Sequence, residues 1–320
     1  MEPKKNDIVR AKEYLDQGAL VAIPTETVYG LAANGTSKMA IQKIYKAKGR
    51  PSSNPLILHF PNLAAMQPYV GKMTEEVRLL ANAFWPGPLT LLLPKSDLVL
   101  DTVTAGLPRV AVRVPNHPKT LELLRQLDFP LAAPSANPSG YISPTKASHV
   151  KQQLDNKIAM VLDGGECTRG LESTILGWDE TGHPTIYRKG VITAEAIENV
   201  LHKLPQNHIS KTLEAPGMLS LHYSPNTTTI ISANIGKTVQ EHPKKTIGLI
   251  SFHKHYQTSV EGITNEIVLS TAGSLNEVAK KLYAAMYTMD NLGLDVIIIE
   301  KVPETGIGKA INDRLVRSAQ

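Results

Sequence analysis

The stretch Ala19-Leu20-Val21-Ala22-Ile23-Pro24-Thr25-Glu26-Thr27-Val28-Tyr29-Gly30 decides how the chain is read. Its first five residues are apolar and have the length of a buried strand. Pro24 lacks a backbone N–H and stops that strand. Thr25, Glu26 and Thr27 then place two hydroxyls and a carboxylate at its carboxyl end. In open α/β sheets ligands collect outside those ends, so this turn is a candidate wall for a small polar substrate. A capped turn without a ligand accounts for the same residues equally well.

Working outward, Ile8, Ala11 and Leu15 share one face of a helix predicted at 7–17 and ended by Gly18. Ser37 caps a helix predicted to carry Met39, Ile44 and Tyr45 inward and to close at Gly49. Thr74 caps another that runs to Phe84. Strands are predicted at 56–60, 89–93, 110–114, 131–133, 159–163, 173–176 and 185–188. Strands outnumber strict β-α alternation, so the fold class is α/β: a twisted mixed sheet with flanking helices. Residues 204–228 are polar and punctuated by Pro205, Pro216, Gly217 and Pro225. They read as a linker, and structureless segments that long are functional or disordered. Beyond it come strands at 246–252, 267–269 and 296–299 and a last helix at 308–317. A capping box, Ser274 with Glu277, opens a helix with Val278, Leu282, Ala285 and Met289 on one face. This alternation predicts a smaller, Rossmann-like parallel α/β domain. The expected division is a catalytic domain at 1–203, a linker over the active site at 204–228 and the small domain at 229–320.

The 320 residues are 42% hydrophobic and 20% charged, ordinary for a globular protein. One cysteine, Cys167, excludes a disulfide framework and a multi-cysteine zinc site. Residues 1–7 carry charge with no apolar run behind them, unlike a signal peptide. No apolar run approaches the ~20 residues of a membrane helix. A cytoplasmic protein with no membrane contact is expected. The net charge of +5 is compatible with an anionic substrate and does not demand nucleic acid.

Several residues carry chemistry. Arg113 interrupts the apolar run of its strand. A buried guanidinium without a partner costs several kcal/mol, so a protein carboxylate or a ligand anion must face it, and both readings stand. Arg109, four residues earlier, reads as exposed. Lys46 and Lys48 are explained by the helix dipole. Arg50, held between Gly49 and Pro51, has the setting for bidentate phosphate contact. Asn54 is kept extended by Pro55. His59 alternates with Leu58 and Phe60 and is either structural or a polar contact. Residues 132–140, with Ala133, Ser135 and Asn137, are small and let a ligand approach the backbone. Ser143 contacts the same ligand or caps a helix. Glu172-Ser173-Thr174 repeats the chemistry of the first turn. No phosphate loop, dinucleotide fingerprint, nucleophile elbow or H-E-x-x-H pair occurs, so any nucleotide must be held by a less common constellation.

Taken in order, Pro24 to Leu31, Lys48-Gly49-Arg50-Pro51 with Asn54-Pro55-Leu56, Trp85-Pro86-Gly87-Pro88-Leu89-Thr90, Val112-Arg113-Val114-Pro115, Ala133-Pro134-Ser135-Ala136-Asn137 with Ser139-Gly140, and Glu172-Ser173-Thr174 resemble the YrdC-like family, and specifically its two-domain threonylcarbamoyl-AMP synthases. Pro216-Gly217-Met218, His222-Tyr223-Ser224-Pro225, Gly306 to Ala310 and Asp313-Arg314-Leu315 resemble the longer, two-domain type. The resemblance implies a reaction of L-threonine, bicarbonate and ATP, helped by Mg²⁺, that yields threonylcarbamoyl-adenylate and pyrophosphate. A partner transferase complex then moves the threonylcarbamoyl group to the tRNA adenosine beside the anticodon. Thr27, His59, Arg113 and Ser173, with the backbone of Ala133, are implied on threonine, whose carboxylate meets Arg113. Arg50, Asn54, Arg109, Ser135, Ser143 and Arg188 are implied on ATP, with Tyr223 closing from the linker. The nucleophile is a substrate carbamate, so no catalytic side chain is assigned, and the metal ligands are unassigned. Thr25 and Glu26 are supporting residues. The chain departs from the family at Ala215, where serine is usual, and at Tyr187 and Lys189, where leucine and proline are common. Two rivals remain. One is a double-stranded RNA or tRNA binder using Lys46, Lys48 and Arg50, for which 5% aromatic content offers few stacking platforms. A weak RNA contact also fits an enzyme of this charge. The other is a maturation carbamoyltransferase, whose cysteine-rich zinc modules this chain lacks.

Overall fold

The Asn6 side chain accepts the Ile8 N–H and opens α1 (Asp7–Asp16), which buries Ile8, Ala11 and Leu15. The computed structural model describes residues 6–209, 215–216 and 223–319. The apolar run becomes β1 (Val21–Ile23), buried throughout. After the Pro24 turn the chain returns antiparallel to it as β2 (Gly30–Asn34), with Ile23 opposite Gly30. Sequence patterning missed β2, because Gly30, Ala32 and Ala33 have low strand propensity and pairing on both sides specifies it instead.

α2 (Lys38–Lys48) is capped by Ser37 and closed by Gly49 in the left-handed region, as expected. Its buried residues include Ala40, Ile41, Ile44 and Ala47, whereas Met39 is 74% exposed. The expectation for Met39 is therefore corrected: five positions from Ile44 is about 140° of helical rotation, off the buried stripe. The first unit continues through β3 (Ile57–His59), α3 (Leu63–Met66), α4 (Glu75–Phe84), β4 (Leu89–Pro94), α5 (Asp101–Thr104), β5 (Arg109–Arg113), α6 (Pro118–Arg125), β6 (Leu131–Ala132), α7 (Ala147–Leu154), β7 (Met160–Val161), β8 (Thr174–Trp178), β9 (Pro184–Arg188), α8 (Ala194–Leu201) and β10 (Gln206–Asn207). Its strands form one mixed sheet in the order β10-β9-β8-β4-β5-β3-β6-β2-β1-β7. β10 falls inside the stretch expected to be a linker and pairs in parallel with β9. Gly217, Met218 and His222 of the linker block lie outside the described residues.

The second unit holds β11 (Thr229–Ser232), α9 (Ile235–Gln240), β12 (Ile247–Ser251), β13 (Ile263–Val268), α10 (Leu275–Asp290), β14 (Val296–Glu300) and α11 (Gly308–Ser318). The sheet order is β11-β14-β12-β13 and its pairings are parallel. The capping box at Ser274 is relayed. Ser274 Oγ accepts the Glu277 N–H, but the Glu277 carboxylate takes the hydroxyl of Ser270, and Ser270 Oγ takes the Ser274 N–H. No helix among the described residues is long and apolar enough to cross a membrane.

The two units share a core. Val28, Ile142 and Leu171 of the first pack in one cluster with Val278, Leu282, Tyr283 and Met286 of α10. Tyr287 stacks on His149 with centroids 4.0 Å apart and donates to the Ile142 carbonyl at 2.8 Å. Gly170 is where the backbones of the two units come close together. Its φ is +73°, and a Cβ there would lie 2.5 Å from the Ala279 carbonyl oxygen. Gly170→Ala is therefore expected to cost about 2 kcal/mol or more, from left-handed strain plus a clash with the α10 backbone. Chemical denaturation of the variant checks this; an unchanged midpoint would show that α10 can shift without penalty.

Candidate active site

Thr25 shapes the first wall. Its Oγ1 accepts the N–H groups of Thr27 and Val28 at 3.1 and 3.2 Å and donates to the Val28 carbonyl at 2.6 Å. This is a hydroxyl-capped turn, and it leaves Thr27 at the cavity. β3 and β5 run in parallel with His59 opposite Arg113, so these two residues end adjacent strands side by side. Arg188 is the last residue of β9, Ala133 follows β6, and Ser173 precedes β8. Because the sheet is mixed, the site gathers mostly carboxyl ends with the amino ends of β2 and β8.

Thr27, His59, Arg113, Ala133 and Ser173 all line one cavity, and so do Arg50, Ser135, Arg188 and Tyr223. Three residues expected at the nucleotide do not line it. Asn54 is fully buried behind Arg50 and accepts that guanidinium on Oδ1 at 2.5 Å. Ser143 is likewise buried and donates to Glu172 at 2.6 Å. Arg109 lies four residues down β5 from Arg113, ~13 Å in an extended strand. There it donates to the Trp178 carbonyl and the Tyr187 hydroxyl at 3.1 and 2.7 Å. The reading of Arg109 as solvent-exposed is also corrected, since the Tyr187 ring sits beneath it.

Charge divides the guanidiniums into two kinds. Arg113 donates from Nη2 to Glu26 at 2.7 Å and from Nε to the Gly87 carbonyl at 3.2 Å. Of the two partners left open for Arg113, a protein carboxylate is present as Glu26, whose other oxygen accepts the Asn116 N–H at 3.0 Å. Arg50 and Arg188, in contrast, meet no carboxylate within bonding distance among the described residues. Arg50 bonds to the Asn54 carbonyl, Asn54 Oδ1 and the Pro55 carbonyl. Arg188 donates to the carbonyl and hydroxyl of Ser173. Burial pulls Arg50 down to about 10 and lowers Arg188 as well. Both are desolvated cations that an incoming anion would stabilise.

His59 is neutral. Burial, and then the charge of Arg113, pull it down to about 3. Its Nδ1–H donates to the Ile57 carbonyl at 3.2 Å.

Sequence reasoning missed two supports. Lys48 is not a surface helix-end charge. It is buried and donates to the Ser135 and Asn137 carbonyls at 2.6 and 2.5 Å, fixing the small-residue loop. Burial lowers its pKa well below the usual value. The second support is Arg314 of α11, which is 1% exposed and donates to Glu172 at 2.9 Å. The only signal for it was its place in the block Asp313-Arg314-Leu315. Tyr283 of α10 donates to the same carboxylate at 3.0 Å. No cluster of three or more metal-ligating side chains occurs among the described residues.

Residues 13–190 match the Sua5/YciO/YrdC family model, described as "Telomere recombination", and residues 192–320 match the model of the threonylcarbamoyl-AMP synthase C-terminal domain. The chain is 40% identical over 329 residues to the threonylcarbamoyl-AMP synthase of Bacillus subtilis, covering 98% of this chain and 92% of that protein. It is 39% identical over 319 residues to that of Pyrococcus abyssi, covering 97% and 93%. The crystal structure of P. abyssi Sua5 complexed with L-threonine superposes with a TM-score of 0.90 at 37% identity, covering 98% of this chain and 95% of that one.

Glu172 ties stability to acid. Burial alone would raise its carboxyl, but Arg314, Arg188 and the Ser143 hydroxyl hold it down at about 2, below its usual 4.5. The folded state therefore binds this proton less readily than the unfolded state. Its contribution, about 3 kcal/mol, is present above pH 4.5 and lost as pH falls toward 2. Urea midpoints measured across that window should fall steeply, and Glu172→Gln should flatten that part of the curve. An equal slope in the variant would assign the acid limb to other carboxyls.

Proposed function

Because this chain belongs to the Sua5/YciO/YrdC family, in its two-unit threonylcarbamoyl-AMP synthase form, we propose that its cavity joins L-threonine, bicarbonate and ATP into threonylcarbamoyl-adenylate. The enzyme is a nucleotidyltransferase, and its products serve tRNA modification. The observation that carries the reading is the pair of desolvated guanidiniums, Arg50 and Arg188, with only neutral acceptors in one cavity. They are the groups that the phosphates of ATP satisfy.

Threonine is the second ligand, as the threonine complex of the P. abyssi relative supports, and we place it on the other wall. Its carboxylate takes Arg113, which retains Nη1 beside its bonds to Glu26 and Gly87. Thr27, Ser173 and the Ala133 backbone read its remaining polar groups. Neutral His59 adds a hydrogen-bonding surface without adding charge. A hydrogen bond required by the substrate hydroxyl rejects valine strongly, whereas serine is distinguished by one methyl, worth only ~1–3 kcal/mol.

The threonine amine and bicarbonate condense to a carbamate with loss of water, and a carbamate oxygen attacks the α-phosphorus while pyrophosphate leaves. No enzyme nucleophile is needed, and the protein supplies positioning and charge neutralisation. Asn54 acts by orienting Arg50, Ser143 by holding Glu172, and Lys48 by fixing Ser135. Tyr223 closes the nucleotide side. Arg109 has a structural place. Glu26 and Glu172 are each paired to a guanidinium and so are not free to hold Mg²⁺; an ion carried by the phosphates of ATP would supply charge neutralisation to the departing pyrophosphate. The division at 1–203, 204–228 and 229–320 fits these roles. A transferase complex in the cytoplasm receives the adenylate and modifies the tRNA adenosine beside the anticodon.

The RNA-binding alternative loses its basis, because of Lys46, Lys48 and Arg50 only Lys46 is exposed. Incubation with ATP, Mg²⁺, bicarbonate and labelled threonine should release pyrophosphate and labelled adenylate. Absence of both, with tight and specific RNA binding, would overturn the synthase reading. Arg113→Ala should raise KM for threonine about 100-fold and leave KM for ATP near wild type. If the variant instead unfolds, Arg113 belongs to the fold rather than to the substrate.

A further inference from the structure

We propose that Arg314, supplied by the second unit, is a positioning residue of this reaction, which keeps the cavity receptive to ATP by neutralising Glu172. The inference rests on the synthase reading above.

Glu172 is buried, and it lines the cavity. One oxygen accepts from Ser143 at 2.6 Å, and the other from Arg314 Nε at 2.9 Å, with Tyr283 at 3.2 and 3.0 Å from the two. Of these donors only Arg314 carries a charge. Its remaining nitrogens bond to the Lys189 carbonyl at 2.7 Å and to Asp313 at 2.6 Å. One side chain of α11 thus grips Glu172, next to Ser173, and the Lys189 carbonyl, next to Arg188, and Ser173 and Arg188 both line the cavity. Its guanidinium also lies 5.0 Å from the ring centre of Tyr223, which Tyr283 stacks at 5.7 Å.

Both substrates bring negative charge. A bare carboxylate in the wall opposes them, and in a desolvated cavity that opposition is strong. It also competes for Arg188, which stands close enough to lower Glu172. A guanidinium drawn to Glu172 is withdrawn from the phosphates. Arg314 removes both effects without touching substrate.

The test compares wild type, Arg314→Gln and the double variant Arg314→Gln/Glu172→Gln in the pyrophosphate assay, with circular dichroism to check folding. Arg314→Gln should raise KM for ATP about tenfold or more, and the double variant should bring it back to within about threefold of wild type. Neutral glutamines at both positions keep hydrogen-bonding groups, so the double variant carries the test even where the single variant does not fold. A folded double variant with KM still raised would overturn the inference, because the role would then belong to geometry or to direct contact. Arg314→Gln with unchanged KM would overturn it as well. Wild type that makes no adenylate would instead sink the synthase reading itself.

Discussion

Four guanidiniums packed around one cavity, Arg50, Arg113, Arg188 and Arg314, are the constraint that the rest of the structure answers. A cation cannot be withdrawn from water without compensation. The fold compensates the four unequally. Arg113 and Arg314 have carboxylates at 2.7 and 2.9 Å, while Arg50 and Arg188 have carbonyl, amide and hydroxyl oxygens. The paired ones anchor the walls. The others are left with neutral acceptors alone. Much of the surrounding architecture follows from this: the Thr25 turn that presents Glu26, the Pro51 to Pro55 loop that turns Asn54 inward, and a second unit docked tightly enough to deliver Arg314.

Much of this was legible from residue order. The apolar run ended by Pro24, the caps at Ser37 and Thr74, and the buried stripe of α10 all appear where local rules place them. So does the meeting of Thr27, His59, Arg113 and Ser173, through the ordered motif blocks. Other parts were invisible for physical reasons. β2 has the composition of a loop, and only its neighbours make it a strand. Glu26 and Arg113 are 87 residues apart, and no local rule pairs them. Lys48 obeys the helix-end rule so well that its burial could not be suspected. Arg109 and Arg113 look alike in sequence, yet lie near opposite ends of one strand.

The shared core explains why the units do not behave as beads on a string. Val28 follows Thr27 directly and packs with α10, and Leu171 precedes Glu172 and does the same. Val28 itself lines the cavity and Leu171 adjoins the lining residue Glu172, so both walls are continuous with the interface. Two departures from the family pattern also meet in one place, since Tyr187 and Ala215 lie in the same small cluster.

The bond between Glu172 and Arg314 spans 142 residues of chain. The loop-closure entropy of such a contact is spent before the contact returns anything. Competence at the cavity therefore reports on the second unit as a whole: if β14 or α11 is misassembled, the wall carries a bare carboxylate. On the proposal for Arg314, a molecule in that condition would bind nucleotide poorly and make little adenylate, and the ion pair would work as an inspection step that only a completely folded chain passes.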